Sequence, residues 1–188
     1  MGYQAAAWLE RPERVREEEP DLALNILNVA KGSSVADVGA GSGYWTVKLA
    51  ERVGPSGRVF ATDLQPQMLD ILGPRLTARG ITNVTLVQGA VDDARLPPAS
   101  VDLELMVDVY HELSQPQAIL RSLRTALKPG GRLVLLEYRK EDPSIPIKFE
   151  HKMSVAEAKL EVEHEGFTLA AVDEKLPWQH ILIFTSNN

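Results

Sequence analysis

Three glycines at alternate positions, Gly39, Gly41 and Gly43, form the segment whose residue types most clearly indicate chemistry. They follow the apolar residues 35–38 and precede a segment predicted to be helical that begins at Tyr44. Glycine permits backbone conformations and close approaches that a side chain would block, and a helix start presents unpaired N–H groups with partial positive charge. A strand, a glycine turn and a helix in this order predict a site where a ligand lies against the backbone.

Two classes of ligand compete for this turn. A dinucleotide site requires Gly-x-Gly-x-x-Gly, but here the third glycine comes one residue early and Tyr44 occupies the expected place. Such a turn suits a ligand without a pyrophosphate. Asp63, which ends the next predicted strand, does not separate the two classes, because it could accept both hydroxyls of a ribose in either. Its alternative role is to cap the following helix.

Ionisable side chains follow the fourth predicted strand, where Asp108, Tyr110, His111 and Glu112 stand close together. A histidine titrates near neutral pH, which suits a general base, although His111 could instead cap the next helix or bond to backbone. Asp108, His111 and Glu112 could be metal ligands. Their spacing matches no strong metal signature, so we expect no metal site.

The elements that must position these residues alternate between strand and helix. Strands are predicted at residues 35–38, 58–62, 84–88, 101–107 and 132–138, and helices at 44–53, 66–79 and 115–127. This alternation indicates an α/β fold, a parallel sheet with helices on both faces, and right-handed crossovers make it doubly wound. After a helix at 154–165, strands at 167–172 and 180–184 are joined by a loop too short for a crossover helix, so this pair is predicted antiparallel.

Length, charge and composition limit the class of protein. A chain of 188 residues suits one domain, with residues 1–33 as an N-terminal helical lid segment and 34–188 as the ligand-binding core. The net charge of −6 disfavours nucleic acid as a partner, because an acidic surface repels phosphates. Without cysteine there are no disulfides or thiolate sites. No apolar run approaches the roughly 20 residues that span a membrane, and with no secretion signal we expect a cytoplasmic protein.

Together these motifs resemble those of the class I S-adenosylmethionine-dependent methyltransferases, in the small-molecule branch. The resemblance covers roughly residues 22–185. The matching segments are 37–43 (acid, then glycine triplet), Asp63 (ribose-binding acid), 88–93 (adenine contact), 105–111 (fourth motif) and 127–133 (turn into the fifth strand). The terminal antiparallel pair resembles the family's last two strands, which dehydrogenase-type Rossmann domains lack. The resemblance implies a Rossmann-like sheet of seven strands in the order 3-2-1-4-5-7-6, with strand 7 antiparallel.

The resemblance also implies a site for S-adenosylmethionine. Gly39 and Gly41 would pack against its methionine part and adenosine, Asp63 would bind the ribose, and Asp37 would orient the turn and meet the ammonium through water. Leu64 and Met68 would form one wall of the adenine site and Val91 the other. The full set of expected contacts is Asp37, Gly39, Ala40, Gly41, Gly43, Tyr44, Asp63, Leu64, Met68, Val91, Asp92 and Asp108.

One position departs from the family pattern. Many relatives carry an acid directly after the glycine that ends the third strand, and this chain has Ala90 there, with Asp92 and Asp93 following. The resemblance implies that the adenine is recognised in this stretch. We expect Asp92 to bind its exocyclic amine.

The expected reaction is direct in-line methyl transfer to a small-molecule acceptor, because the methyl carbon of a sulfonium is already electrophilic. His111 and Tyr110 are the expected catalytic residues, with His111 lying where an acceptor binds in relatives. Residues 138–153 and the N-terminal stretch that contains Trp8 are expected to cover the site. The alternatives are a non-catalytic S-adenosylmethionine sensor and, less favoured, an NAD-dependent oxidoreductase. We expect a monomer or a homodimer.

Overall fold

The computed structural model describes residues 2–187. At its centre lies a sheet of eight strands, seven of them in the order β3-β2-β1-β4-β5-β8-β7, with β6 paired to the end of β5. The strands are β1 (Ser34–Val38), β2 (Arg58–Asp63), β3 (Val84–Gln88), β4 (Val101–Val107), β5 (Leu127–Arg139), β6 (Lys152–Met153), β7 (Phe167–Asp173) and β8 (Gln179–Ser186). The pairs β5–β8 and β7–β8 are antiparallel, and the other pairs of these strands are parallel.

The predicted strand order is confirmed, with two differences in detail. The two-residue strand β6 was not predicted, and it shifts the numbers of the last two strands by one. Strand β5 begins at Leu127 and not at Arg132, because Leu127 already pairs with Val101 on β4. The register between β4 and β5 then shifts, so the glycines expected to form a turn lie inside an irregular strand.

Seven α-helices lie among the described residues: α1 (Ala6–Leu9), α2 (Arg14–Glu18), α3 (Pro20–Leu27), α4 (Tyr44–Val53), α5 (Pro66–Ala78), α6 (Pro116–Ala126) and α7 (Val155–His164). Proline stands in the first turn of α3, α5 and α6, where its missing N–H costs nothing. Helix α7 begins with a capping box between Ser154 and Glu157. No helix in residues 2–187 is long and apolar enough to cross a membrane.

Apolar side chains cover both faces of the sheet and hold the helices against it. Leu120 and Leu123 of α6 and Val162 of α7 are fully buried in one cluster, which includes Met106 of β4. Leu27 of α3 is fully buried in a second cluster with Leu49 of α4 and Leu105 of β4. Each such leucine contributes roughly 1.5–3 kcal/mol of burial free energy. This packing fixes the carboxyl ends of β1, β2, β4 and β5 at one edge, where parallel sheets bind ligands.

Candidate functional site

A cavity of about 470 Å³ opens at this edge of the sheet, within the roughly 300–1,000 Å³ usual for cofactor and small-molecule sites. The lining contains two sets of residues that bear on function. The first, the glycine group, contains Gly39, Gly41, Asp63, Leu64 and Met68. The second, the histidine group, contains His111, Glu112, Leu113, Ile147 and His151. Trp8, Leu9 and Arg14 from the N-terminal helices also line the cavity.

The glycine turn adopts a backbone that only glycine tolerates well. Gly39, Gly41 and Gly43 have φ angles of 76°, 54° and 90°. A β-carbon on Gly39 would lie 2.5 Å from Cγ2 of Val109, and one on Gly43 would overlap Cδ1 of Leu72. Gly39 and Gly41 face the cavity, as predicted, whereas Gly43 lies outside its lining and allows α5 to pack closely.

Asp63 ends β2 as a buried carboxylate that is tied to the glycine turn. Its Oδ2 accepts a hydrogen bond from the N–H of Gly41 at 2.8 Å, and its Oδ1 accepts one from the N–H of Gln65 at 2.8 Å. Burial raises the pKa of Asp63, and these two hydrogen bonds oppose the rise. Each oxygen keeps a second lone pair, so the carboxylate can still accept two hydroxyl groups of a ribose. Asp63 does not cap α5, because the N-cap of that helix is Gln65 and no side chain caps it; its two bonds tie the glycine turn to the residues just before the helix.

Asp37 lies beneath the turn and not in the cavity lining. Its Oδ2 accepts a hydrogen bond from Oγ1 of Thr46 at 2.5 Å, which joins β1 to the first turn of α4. Burial raises the pKa of Asp37 to about 6, although the hydrogen bond from Thr46 opposes this. The position fits the predicted role of orienting the turn.

This pKa makes stability depend on pH, with a sign that can be tested. Because the folded-state pKa of about 6 exceeds the ordinary aspartate value of 3.8, the folded chain binds more protons than the unfolded chain between these pH values. The stability contributed by protonated Asp37 is present below pH 3.8 and lost as the pH rises through about 6. We expect the free energy of unfolding to fall by about 3 kcal/mol more across this window in the wild type than in Asp37→Asn. Denaturant titrations of both proteins at several pH values measure the difference, and parallel curves would contradict it.

Only some of the residues predicted to contact the adenine are in the cavity lining. Leu64 and Met68 line the cavity, but the opposite side is lined by Gly89, Ala90 and Ala94. The N–H of Ala90 donates to the carbonyl of Asp93 at 2.7 Å, and this tight turn leaves the residues between them exposed. The predicted contacts Val91 and Asp92 are thus placed outside the lining and stay predictions.

Two further predicted contacts lie behind the cavity surface. Ala40 is buried in a small cluster with Leu72 and Leu76 of α5. Tyr44 is half-buried, and the guanidinium of Arg14 lies over its ring, 4.2 Å from the centroid. Neither side chain is in the cavity lining.

Asp108 belongs to a polar network that closes the site from the N-terminal side. It has a φ angle of 53°, and both its carboxylate oxygens accept from Nε2 of Gln179, at 3.0 and 2.9 Å. Burial, reinforced by the charges of Glu18 and Glu137, raises the pKa of Asp108 well above its ordinary value. Arg14, which donates from Nε to Glu18 at 2.7 Å, lines the cavity and partly offsets this repulsion.

His111 is held by a carboxylate that the sequence analysis missed. Its Nδ1 lies 2.6 Å from Oε2 of Glu137, a fully buried side chain whose Oε1 accepts from the N–H of Tyr110 at 2.8 Å. A carboxylate accepts hydrogen bonds, so in the neutral imidazole Nδ1 carries the proton and Nε2 keeps the lone pair. Burial opposes charging of the imidazole, but Glu137 outweighs it and raises the pKa of His111. The sequence signal that could have revealed Glu137 was an acid inside the apolar part of strand β5.

Tyr110, the other predicted catalytic residue, turns away from the cavity. Its ring is buried, and its hydroxyl donates to Oε2 of Glu161 on α7 at 3.0 Å. Burial, with the charge of Glu161, raises the pKa of Tyr110 far above its ordinary value. The structure therefore does not bring this hydroxyl to the acceptor side.

The segment after β5 contributes residues to the cavity lining beside the histidine group, and its role as a lid stays a prediction. Pro146, Ile147, Lys148 and His151 line the cavity. The segment is anchored by Lys152, whose Nζ donates to the backbone carbonyls of Asp142 and Ile145 at 2.9 and 2.8 Å. On the other side Trp8 lines the cavity, with the guanidinium of Arg11 stacked 3.6 Å from its ring centroid.

Comparison with known proteins agrees with this geometry. A family model described as a methyltransferase domain matches residues 35–131. A demethylmenaquinone methyltransferase of Geobacillus stearothermophilus is 34% identical over 114 residues, which cover 61% of this chain and 49% of that protein. A ubiquinone/menaquinone biosynthesis C-methyltransferase of Pseudomonas putida is 31% identical over 120 residues, or 63% of this chain and 47% of that protein. The chain thus spans about half the length of these curated relatives.

A solved structure matches almost the entire chain. It is described as a SAM-dependent methyltransferase from Aquifex aeolicus, and it superposes with a TM-score of 0.92 and 27% identity over 98% of each chain. The residues present also fit the family's cofactor, since a buried acid with open lone pairs lies beside a backbone-lined turn. Because the family model spans that turn and the strands around it, the chain belongs to the class I S-adenosylmethionine-dependent methyltransferases.

Proposed function

We propose that the protein transfers the methyl group of S-adenosylmethionine to a small molecule held by the histidine group. The observation that carries this proposal is the shared cavity, which both the glycine turn and His111 line, with Glu137 buried behind the imidazole. When bound, S-adenosylmethionine supplies an electrophilic methyl carbon on a sulfonium. The protein must then place a nucleophile in line with that carbon, which can contribute on the order of 7–11 kcal/mol.

The glycine group would hold the cofactor and the N-terminal helices would cover it. Asp63 would accept the ribose hydroxyls, and Leu64 and Met68 would pack against the adenine, as the resemblance implies. Trp8 and Leu9, which line the same cavity, would exclude water. We therefore propose residues 1–33 as a cover and 34–188 as the cofactor-binding core.

The histidine group fits an apolar acceptor that carries an ionisable hydroxyl. Leu113 and Ile147 give it apolar walls, while His111, Glu112 and His151 supply the polar atoms. One relative is named a demethylmenaquinone methyltransferase and another a ubiquinone/menaquinone biosynthesis C-methyltransferase, which supports a quinone-type ring in its reduced, hydroxyl-bearing form as the acceptor class. Deprotonating a ring hydroxyl would make the ring oxygen and the adjacent ring carbons nucleophilic.

His111 would take the hydroxyl proton at Nε2. The O–H bond of the acceptor would break, its electron pair would stay on the oxygen, and its proton would move to the imidazole. Glu137 would stabilise the imidazolium through Nδ1, which it already contacts at 2.6 Å. Such general base catalysis contributes typically 10²–10⁴-fold in rate.

The test is to incubate the protein with methyl-tritiated S-adenosylmethionine and a water-soluble, short-chain demethylated hydroquinone. We expect tritium in the extracted acceptor, and little when the oxidised quinone is supplied, because the quinone has no hydroxyl to deprotonate. Tight binding of the cofactor without label transfer to any hydroxylated acceptor would contradict a catalytic role.

A further inference from the structure

Two histidines and a glutamate from distant parts of the chain meet inside the cavity. His111 and Glu112 follow β4, whereas His151 ends a 3₁₀ turn just before β6. Nε2 of His111 lies 3.3 Å from Nδ1 of His151 and 4.0 Å from Oε1 of Glu112. One ligand atom from each residue lies within 4.8 Å of the others, and all three residues line the cavity.

From this arrangement we propose that His111, His151 and Glu112 bind a divalent transition-metal ion, with Zn²⁺ as the reference case. A tetrahedral zinc with Zn–N distances of about 2.0–2.1 Å separates two ligand nitrogens by about 3.3–3.4 Å. The observed separation of 3.3 Å already matches this edge. As a direct hydrogen bond the same contact is long, since N–H donors usually lie about 2.7–3.2 Å from their acceptors.

The surroundings of His111 are those of a metal-binding imidazole. Such a histidine usually donates its other ring N–H to a carboxylate or carbonyl, which fixes the tautomer and orients the ring. The buried Glu137 accepts from Nδ1 in this way, so the lone pair of Nε2 points toward His151. The turn that carries His151 is followed directly by the anchored Lys152, which limits how far the second ligand can move.

The third ligand must move to bind the ion. Oε1 of Glu112 lies 4.0 Å from Nε2 of His111, and the three ligand atoms lie within 4.8 Å of one another, whereas the edge of a tetrahedral site is about 3.3 Å. The side chain of Glu112 is 35% exposed, so this movement takes place at the solvent-accessible part of the cluster. The sequence predicted no metal site, because the spacing of Asp108, His111 and Glu112 matches no strong signature; in the structure Asp108 is bonded to Gln179 and is not one of the three proposed ligands.

Three protein ligands leave the fourth position of the ion open to the cavity, as in catalytic zinc sites. Imidazole and carboxylate ligands suit zinc, iron and related divalent ions. In the loaded protein the ion would bind the hydroxyl oxygen of the acceptor and lower its pKa, so that the proton passes to solvent water, and His111 would then serve as a ligand and not as a base. The role of the ion in activating the acceptor rests on the proposed function, whereas metal binding itself does not.

The test measures metal binding directly, on tag-free full-length protein stripped with a chelator. We expect equilibrium dialysis to give one Zn²⁺ per chain, and Co²⁺ to produce the visible absorption of a tetrahedral site. His151→Ala is expected to weaken binding at least a hundredfold. Glu137→Gln, which keeps all three ligands, is expected to weaken it by about 10–100-fold. His164→Ala, at an exposed position on α7, is the matched control and should bind like the wild type.

Calorimetry with S-adenosylmethionine on the same samples separates this proposal from the proposed function. Circular dichroism and cofactor binding that stay unchanged in His151→Ala show that the variant is folded. Less than half an ion per chain in the wild type, or binding that survives His151→Ala, overturns the metal site without affecting the methyltransferase proposal. Loss of cofactor binding in the wild type would overturn the proposed function and leave the metal result standing.

Discussion

Replacing His111 with alanine is expected to lower kcat for methyl transfer by about 10²–10⁴-fold. In the proposed function, His111 removes the hydroxyl proton of the acceptor, and in a metal-loaded protein it holds the ion that lowers the pKa of that hydroxyl. The variant therefore loses both the base and the metal ligand. It should keep its affinity for S-adenosylmethionine within about twofold, because the cofactor contacts come from the glycine group.

Initial rates with labelled cofactor and saturating acceptor measure this effect, and calorimetry measures the affinity. His164→Ala, an exposed histidine on α7, is the control for loss of an imidazole and should retain wild-type rates. If His111→Ala keeps more than about a tenth of the activity, which is less than general base catalysis usually contributes, the assignment is wrong.

Replacing Asp63 with alanine is expected to raise the dissociation constant of S-adenosylmethionine by about 10–150-fold, from the roughly 1.5–3 kcal/mol of hydrogen bonds to a charged group. The variant loses the acceptor for the ribose hydroxyls. It also frees the N–H of Gly41, which Oδ2 holds at 2.8 Å, so the turn itself loosens.

Asp70→Ala is the matched control for this loss of an acid, because Asp70 is an exposed residue on the neighbouring helix α5. Its dissociation constant should equal that of the wild type. An Asp63→Ala protein that is folded and binds the cofactor with wild-type affinity would show that this carboxylate only caps the turn.

The features predicted well from sequence are those that neighbouring residues encode. The helix at 44–53 has the predicted bounds, because the glycine turn and Gly54 mark its two ends. The antiparallel pairing of β7 and β8 followed from the length of one loop, and it is confirmed. Gly39, Gly41 and Asp63 line the cavity as predicted, because a strand that enters a glycine turn can end only at the sheet edge.

The features that were missed depend on contacts between distant residues. Glu137 looked like part of an apolar strand, and only the pairing of β4 with β5 brings it to His111. His151 lies 40 residues after His111, so no local spacing could reveal that their nitrogens meet. Gln179 reaches Asp108 across 71 residues for the same reason. The backbone turn at Ala90, which places Val91 and Asp92 outside the cavity lining, likewise leaves no sequence pattern.

The most direct test is a calorimetric titration of the wild-type protein with S-adenosylmethionine, with NAD titrated in parallel. The glycine turn, one residue shorter than a dinucleotide turn, predicts micromolar binding of S-adenosylmethionine at one site per chain and no binding of NAD. Binding of NAD with comparable affinity, or no heat with S-adenosylmethionine, would contradict the assignment of this cavity to a methyl donor.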